Sequence, residues 1–596
     1  MVKKIKKTLE RLNILPVLRK GRHFALLVVN PGYRRQYRDH TVRERPLREE
    51  FESFKEKYGS GLSASLLIKR PGIRRKALLV SSDVAGGTTN ELFLIKALQM
   101  AGYEPVVITG ANPWVPKYYR LAGLKQILRW EAPEQAEWLH TADRLLQEVH
   151  SADDLKLITH RGVRAGKYTL STSIRYLRQG ALDLEAADTR QDVRRRLISS
   201  FHATDSSYRI VDAVKPHLAV SIDVGYTPRG ELYDVCLAKG IDTVTWNSAH
   251  KNNLLMLKRF SLRNDGTHPS SLSEESWESL RKLGWNSALS RRVQQEIEAN
   301  YLSGDWYSAV GTQFHTRPAT PDSIRRQLGL TPGKKTAIIF PHLFWDATLF
   351  WGTDLFQNYE KWFIAAVRAA CQNDQLNWVI KVHPANVVKS ARDGYAGELN
   401  EMRAIRENFG TLPPHVTVIP PESDISTFSL FLLMDYCLTV RGTIGVEAAC
   451  FGVNVVTAGT GRYDHKGFTV DSESREEYIA RLGRLQEISP MSPERRELAE
   501  KFAYGLFVLR PLRLSTISYG FARDAKATAI SSLNAVTKEQ WAAAPDVQAL
   551  ADWIQSAKED YIMTEAAAFP SSVETPQANG AIDSPFMEGA GVTSSL

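Results

Sequence analysis

Two stretches of this 596-residue chain alternate short apolar runs with helical patterns, and that alternation limits the fold more than any other feature. In the first stretch, Ala77-Leu78-Leu79-Val80 reads as a buried strand. A small-residue loop over 81–89 follows, then a helical pattern over 90–101 closed by Gly102, then a second strand over 105–109. Apolar runs without polar alternation suit strands covered on both faces, as in a parallel sheet, and a crossover helix joins such strands in the right-handed sense. Residues 133–215 read as mostly helical and strongly charged. Strands are expected over 218–222 and 243–246, with a helix over 230–239 between them. Residues 255–310 read as a polar, helical bridge. The second stretch repeats the pattern, with strands over 336–340, 378–382, 416–419, 436–440 and 454–458 and helices over 356–372, 426–433 and 443–451.

The expected fold class is therefore α/β, with two Rossmann-like domains facing a cleft. The expected boundaries are a basic N-terminal extension over 1–75 with some helix at 46–58, a first Rossmann-like domain with helical insertions over 76–310, and a second Rossmann-like domain over 311–530. Helices over 531–563 and a tail over 564–596 complete the chain. That tail is rich in Ala, Ser, Gly and Pro, lacks core formers and is expected to be disordered.

Charge is unevenly placed. The chain carries +10 overall, yet residues 1–75 hold 20 Lys+Arg against 7 Asp+Glu, so the remainder is net negative. Such asymmetry points to an anionic partner, either a membrane face or an anionic glycan. Lys3, Lys4, Lys6 and Lys7 beside Ile5, Leu9 and Leu12 fit a short basic amphipathic helix, and a solvated tail accounts for them equally well. Peripheral contact with an anionic membrane is thus assigned to residues 1–48. Nucleic acid is not an expected partner, because Arg34 to Arg48 carries no binding motif. No run approaches the roughly 20 apolar residues of a membrane helix. Cys236, Cys371, Cys437 and Cys450 are far apart, with no CxxC and no His at metal spacing. They read as reduced thiols of a cytoplasmic protein, stationed at most at the inner face of the membrane. No metal and no cofactor are called for.

Four constellations carry candidate chemistry, all on loops after strands of the second stretch. Lys381-Val382-His383-Pro384 ends a strand and offers a cation and an imidazole to a phosphate. Arg441-Gly442-Thr443-Ile444-Gly445-Val446-Glu447 joins a strand to a helix. Its small residues admit a close ligand, its helix N-terminus favours anions, and Glu447 is placed to accept from ribose hydroxyls. Gly459-Thr460-Gly461-Arg462 runs on to Lys466 and suits a loop closing over anionic groups. Pro341-His342-Leu343-Phe344-Trp345-Asp346 brings an imidazole and a carboxylate to the cleft mouth, where Asp346 is a candidate base or nucleophile. Each alone also reads as an ordinary strand-end turn or loop, with Asp346 as a helix cap; together they belong to one edge of one sheet.

In that order, HLFWD, KVHP and RGTIGVEAACFGVNVVTAGTGRYDHKGFT resemble the motifs of the capsule polysaccharide biosynthesis family, which includes bacterial β-Kdo transferases. The resemblance covers about residues 335–470. It implies a GT-B fold and a glycosyltransferase that moves a sugar from a nucleotide-sugar donor, such as a CMP-linked one, to a cell-surface polysaccharide or its lipid-linked precursor. It further implies that Lys381 and His383 bind the donor phosphate, that Thr443, Gly445 and Glu447 line the nucleotide site, and that Asp346 matches the carboxylate of the family's QxxxD motif. Two positions depart from the pattern: His342 stands where the family has Gln, and Asn454 where it has Pro.

On the acceptor side, Asp83 and His250 are the candidates to take a proton from an acceptor hydroxyl; Asp223, Tyr226 and Asn247 also follow strands of that domain. Two other functions fit the same fold. One is a nucleotide-sugar 2-epimerase or hydrolase, which turns over donor without acceptor. The other is a non-catalytic partner in polysaccharide assembly, a reading the His342 departure favours.

Overall fold

A computed structural model describes residues 31–67, 75–83, 85–131, 136–303, 316–346, 349–521 and 529–563. The tail over 564–596 and most of the segment assigned to membrane contact lie outside these residues. A helix does occupy Pro31–Ser63, longer than the expected 46–58, with a proline at its first position, where the missing N–H costs nothing. Among the described residues, no helix is long and apolar enough to cross a membrane.

The first sheet contains β1 (Arg75–Val80), β2 (Tyr103–Thr109), β3 (Ile127–Arg129), β4 (Leu218–Ser221), β5 (Asp242–Ser248) and β6 (Leu254–Phe260). Its order is 3-2-1-4-5-6, parallel through β5, with β6 antiparallel. The second sheet contains β7 (Thr336–Ile339), β8 (Asn377–Lys381), β9 (Val416–Ile419), β10 (Tyr436–Thr439), β11 (Asn454–Thr457) and β12 (Thr469–Val470). It is wholly parallel, in the order 9-8-7-10-11-12. The inner strands carry Leu, Val, Ile, Ala and Trp at near-zero exposure, as sheets covered on both faces require. Strand order reverses between β1 and β4 in one sheet and between β7 and β10 in the other. Loops diverge there and leave a crevice at the strands' carboxyl ends. The two crevices open onto one cleft, which is the GT-B arrangement expected.

The short strands β3 and β12 are not among those expected from the sequence, and two larger differences concern β6 and the chain's end. Residues expected to begin a helical bridge form β6, and its buried Lys258 disguised it. Lys258 is 1% exposed and pairs with Asp560 at 3.0 Å and Glu559 at 2.6 Å, partners supplied from three hundred residues away. The bridge proper follows, as helices Glu274–Arg281 and Ser287–Ser303.

The chain's end also crosses back. β13 (Leu512–Arg513) pairs with β6, the hairpin of β14 (Ile517–Phe521) and β15 (Ala529–Leu533) follows, and the helix Pro545–Ser556 packs on the first unit's helix Ala85–Met100. Arg510, fully buried, donates to the carbonyls of Leu257 and Pro269 and anchors this return. The helices placed beyond residue 530 therefore belong to the first unit.

Candidate functional site

β7 delivers Phe340-Pro341-His342 to the cleft. The His342 ring stacks on Tyr359 at 4.3 Å between centroids, and its Nε2 accepts from the amides of Val440 at 3.3 Å and Arg441 at 3.5 Å. A backbone N–H can only donate, so Nε2 carries the lone pair and Nδ1 the proton. Burial, then the charges of Arg441 and Arg462, holds the imidazole down to about 3. His342 is thus a neutral acceptor that ties the loop after β7 to the loop after β10.

The residues between His342 and Asp346 face elsewhere. Leu343 and Trp345 are buried among the first unit's helices, and Trp345 is flanked by the guanidiniums of Arg175 and Arg178, each 4.8 Å from its ring. That anchorage brings Asp346 to the unit boundary. Tyr226 of the first unit donates its hydroxyl to Asp346 Oδ1 at 3.2 Å, and Arg175 lies 3.6 Å from the same oxygen.

β8 ends at Lys381, which is 3% exposed. Burial lowers its ammonium to about 8 against the opposing pull of Asp424 and Glu422. Two residues on, His383 Nδ1 accepts the Ala385 amide at 3.1 Å, leaving the proton on Nε2. Burial, then Lys389, lowers this imidazole to about 4, so it too is a neutral ring, but one that donates.

β10 leads to Gly442, the N-cap of the helix Thr443–Cys450. A Cβ at Gly442 would sit 2.9 Å from Thr439 Oγ1 and 3.3 Å from the His342 ring, so the close approach needs glycine. Gly445 serves packing: its missing Cβ makes room for the hydroxyl of Tyr463, which donates to the Gly442 carbonyl at 2.6 Å. Glu447 is 2% exposed, accepts from Tyr301 of the bridging helix, and is pushed up to about 7 by burial. Arg441 is buried and engaged with Asp354 and the Trp351 carbonyl. Arg462 donates to the Arg441 carbonyl at 3.1 Å, while its buried Nε has no partner among the described residues.

These side chains meet around one cavity of ≈ 500 Å³. Its second-unit wall contains His342, Asp346, Lys381, His383, Arg441, Gly442, Thr443, Glu447 and Arg462. The first-unit wall contains Asp223, Tyr226, Asn247, Ser248 and His268. Among the described residues, no group of three or more His, Cys, Asp or Glu could hold a metal ion.

Five expected site residues stand outside the lining. Gly445 lies behind it, as described. Gly461, at φ +96°, abuts the backbone of Gly352 and stands behind the lining, while the next residue, Arg462, belongs to it. Lys466 pairs with Glu274. Asp83 turns onto the loop after β2, where its Oδ2 accepts the Asn112 amide at 3.1 Å. His250 is buried against Phe507, with Nε2 2.8 Å from Glu296 Oε1; that glutamate also pairs with Lys251 at 2.7 Å. Neither Asp83 nor His250 reaches the cavity; Asp223, Tyr226 and Asn247, which also follow strands of the first unit, do. Sequence reasoning missed His268 and Tyr301. Both lie in the polar bridge, where no strand end marks them, and only the tertiary fold brings them to the cavity.

No protein-family model matches this chain, and no curated protein matches it. Among solved structures it is similar to a β-Kdo 2,4-transferase of Thermosulfurimonas dismutans, at 13% identity over 53% of this chain and 84% of that one, with a TM-score of 0.29. It is similar also to a glycosyltransferase from Rickettsia africae, at 9% identity over 73% and 94%, TM-score 0.28. A third is a UDP-GlcNAc 2-epimerase from Neisseria meningitidis bound to UDP-GlcNAc, at 11% identity over 73% and 96%, TM-score 0.25. With TM-scores below 0.5, none of these likenesses bears on what the cavity does.

Proposed function

We propose that this protein transfers a sugar from a nucleotide-sugar donor to an acceptor glycan in the cleft between its two units. The observation that carries this reading is the division of the cavity into two chemically distinct walls. The second-unit wall offers Lys381, Arg462, the His383 N–H and the start of the helix Thr443–Cys450, donors suited to a phosphate without a metal. The first-unit wall offers Asp223, Asn247 and Ser248, groups suited to an acceptor hydroxyl. A volume near 500 Å³ lies within the range of small-molecule sites.

In the reaction, the bond between the anomeric carbon and the phosphate oxygen breaks and a bond to the acceptor oxygen forms. The electron pair leaves with the phosphate, whose charge Lys381 and Arg462 neutralise as it develops. Asp346, at the boundary, is the carboxylate that stabilises or attacks the anomeric carbon. Asp223 takes the proton lost by the acceptor hydroxyl. The positive charge of residues 1–75 would hold the enzyme at an anionic surface that carries the acceptor.

A thermal-shift series with CMP, UDP, GDP and dTDP tests the donor site, because a ligand of the folded state raises its apparent stability. One nucleotide is expected to stand out. Sugar release from the matching donor is expected only with acceptor glycan present. Release or epimerisation without acceptor would replace the transferase with the 2-epimerase or hydrolase reading. Unchanged glycan production by Asp346→Ala and His383→Ala chains would point to a non-catalytic role.

A further inference from the structure

His268 belongs to the bridge after β6, yet it lines the cavity. Its backbone amide donates to the Gly461 carbonyl at 2.8 Å, which fixes the residue to the second unit's loop after β11. Its ring meets Trp351 at 5.0 Å. Its Nδ1 accepts the Ser270 amide at 3.0 Å, so the ring's proton is on Nε2. Among the described residues nothing accepts from that N–H. His383, across the cavity, is arranged in the same way: its Nδ1 accepts an amide two residues on, and its Nε2–H is left over. One such ring comes from each side of the cleft. Burial, then the nearby charges of Arg462 and Arg441, keeps His268 uncharged. An uncharged N–H donor beside guanidiniums complements an anionic oxygen without adding to the repulsion among cations already gathered there.

We infer that His268 is a ligand-binding residue that donates its Nε2–H to a phosphate oxygen of the nucleotide held by Arg462. The inference rests on the nucleotide-sugar reading of the cavity and deepens it, since it makes the first unit part of the phosphate site.

The test uses the full chain and whichever of CMP, UDP, GDP and dTDP gives the largest thermal shift, with the matching nucleoside as a phosphate-free control. His268→Phe keeps a ring against Trp351 and removes the N–H; His268→Gln restores an N–H donor. By titration calorimetry His268→Phe is expected to lose nucleotide affinity by roughly ten- to hundredfold, the worth of a hydrogen bond to a charged group. Nucleoside affinity is expected to stay unchanged, and His268→Gln to recover most of the loss. Undiminished nucleotide affinity in His268→Phe, or an equal loss for the nucleoside, would overturn this inference alone. Failure of the unaltered chain to bind any of the four nucleotides would overturn both it and the reading beneath it.

Discussion

Lys381 is the residue whose replacement separates stability from function most cleanly. It stands at the last position of β8, 3% exposed, and among the described residues no carboxylate forms an ion pair with it. Burial places its ammonium at about 8, against an ordinary 10.5. That gap corresponds to about 3 kcal/mol of disfavour for the charged form in the folded chain. Between pH 8 and 10.5 the unfolded chain binds more protons than the folded one, so stability rises with pH across this window. Below pH 8 both states are protonated and the full cost is present.

Lys381→Met, of similar length and without charge, is therefore expected to be more stable than the unaltered chain at pH 7, by up to about 3 kcal/mol. The difference should close as pH approaches 10.5, as read by urea unfolding at several pH values. The same substitution should weaken nucleotide binding. A bound phosphate favours the ammonium, and near pH 8 only about half of it is protonated beforehand. Nucleotide binding at that pH should then take up protons, measured as a dependence of the calorimetric enthalpy on buffer ionisation. Lys381→Met should abolish that uptake. A Met variant less stable than the unaltered chain at pH 7, or nucleotide binding without proton uptake, would refute the assignment of Lys381 as a desolvated cation awaiting an anion.

Three further outcomes follow from the same geometry. Glu447 sits at about 7 through burial, so the folded chain should lose stability as pH rises from about 4.5 through 7; Glu447→Gln should remove up to about 3 kcal/mol of that slope in denaturant titrations at pH 5 and pH 8. His342→Gln should keep the melting temperature, because a side-chain carbonyl can accept the Val440 and Arg441 amides as Nε2 does, whereas His342→Leu should cost about 1–3 kcal/mol by orphaning them. Gly445→Ala should cost about 1–3 kcal/mol by calorimetry, since the new methyl would lie 2.3 Å from the Tyr463 hydroxyl, and Tyr463 must move or break its bond to Gly442.

The sequence alone determined the two alternating α/β runs and the loops that carry the cavity's second-unit wall. Both follow from local physics: short apolar runs such as Thr336–Ile339 and Tyr436–Thr439, bounded by turn residues, suit covered strands, and residues after parallel strands emerge at one sheet edge. The tertiary structure decided everything that depends on a distant partner. Lys258 could enter a strand only because Asp560 meets it. His250, which looked free on a strand-end loop, is enclosed by Glu296 and Phe507. Asp83 turned to the loop after β2, and His268 reached the cavity through a hydrogen bond to Gly461. A short stretch of chain specifies which atoms it offers, but their burial and hydrogen-bond partners are set by segments hundreds of residues away, and those decide whether a histidine is a ligand donor or part of the core.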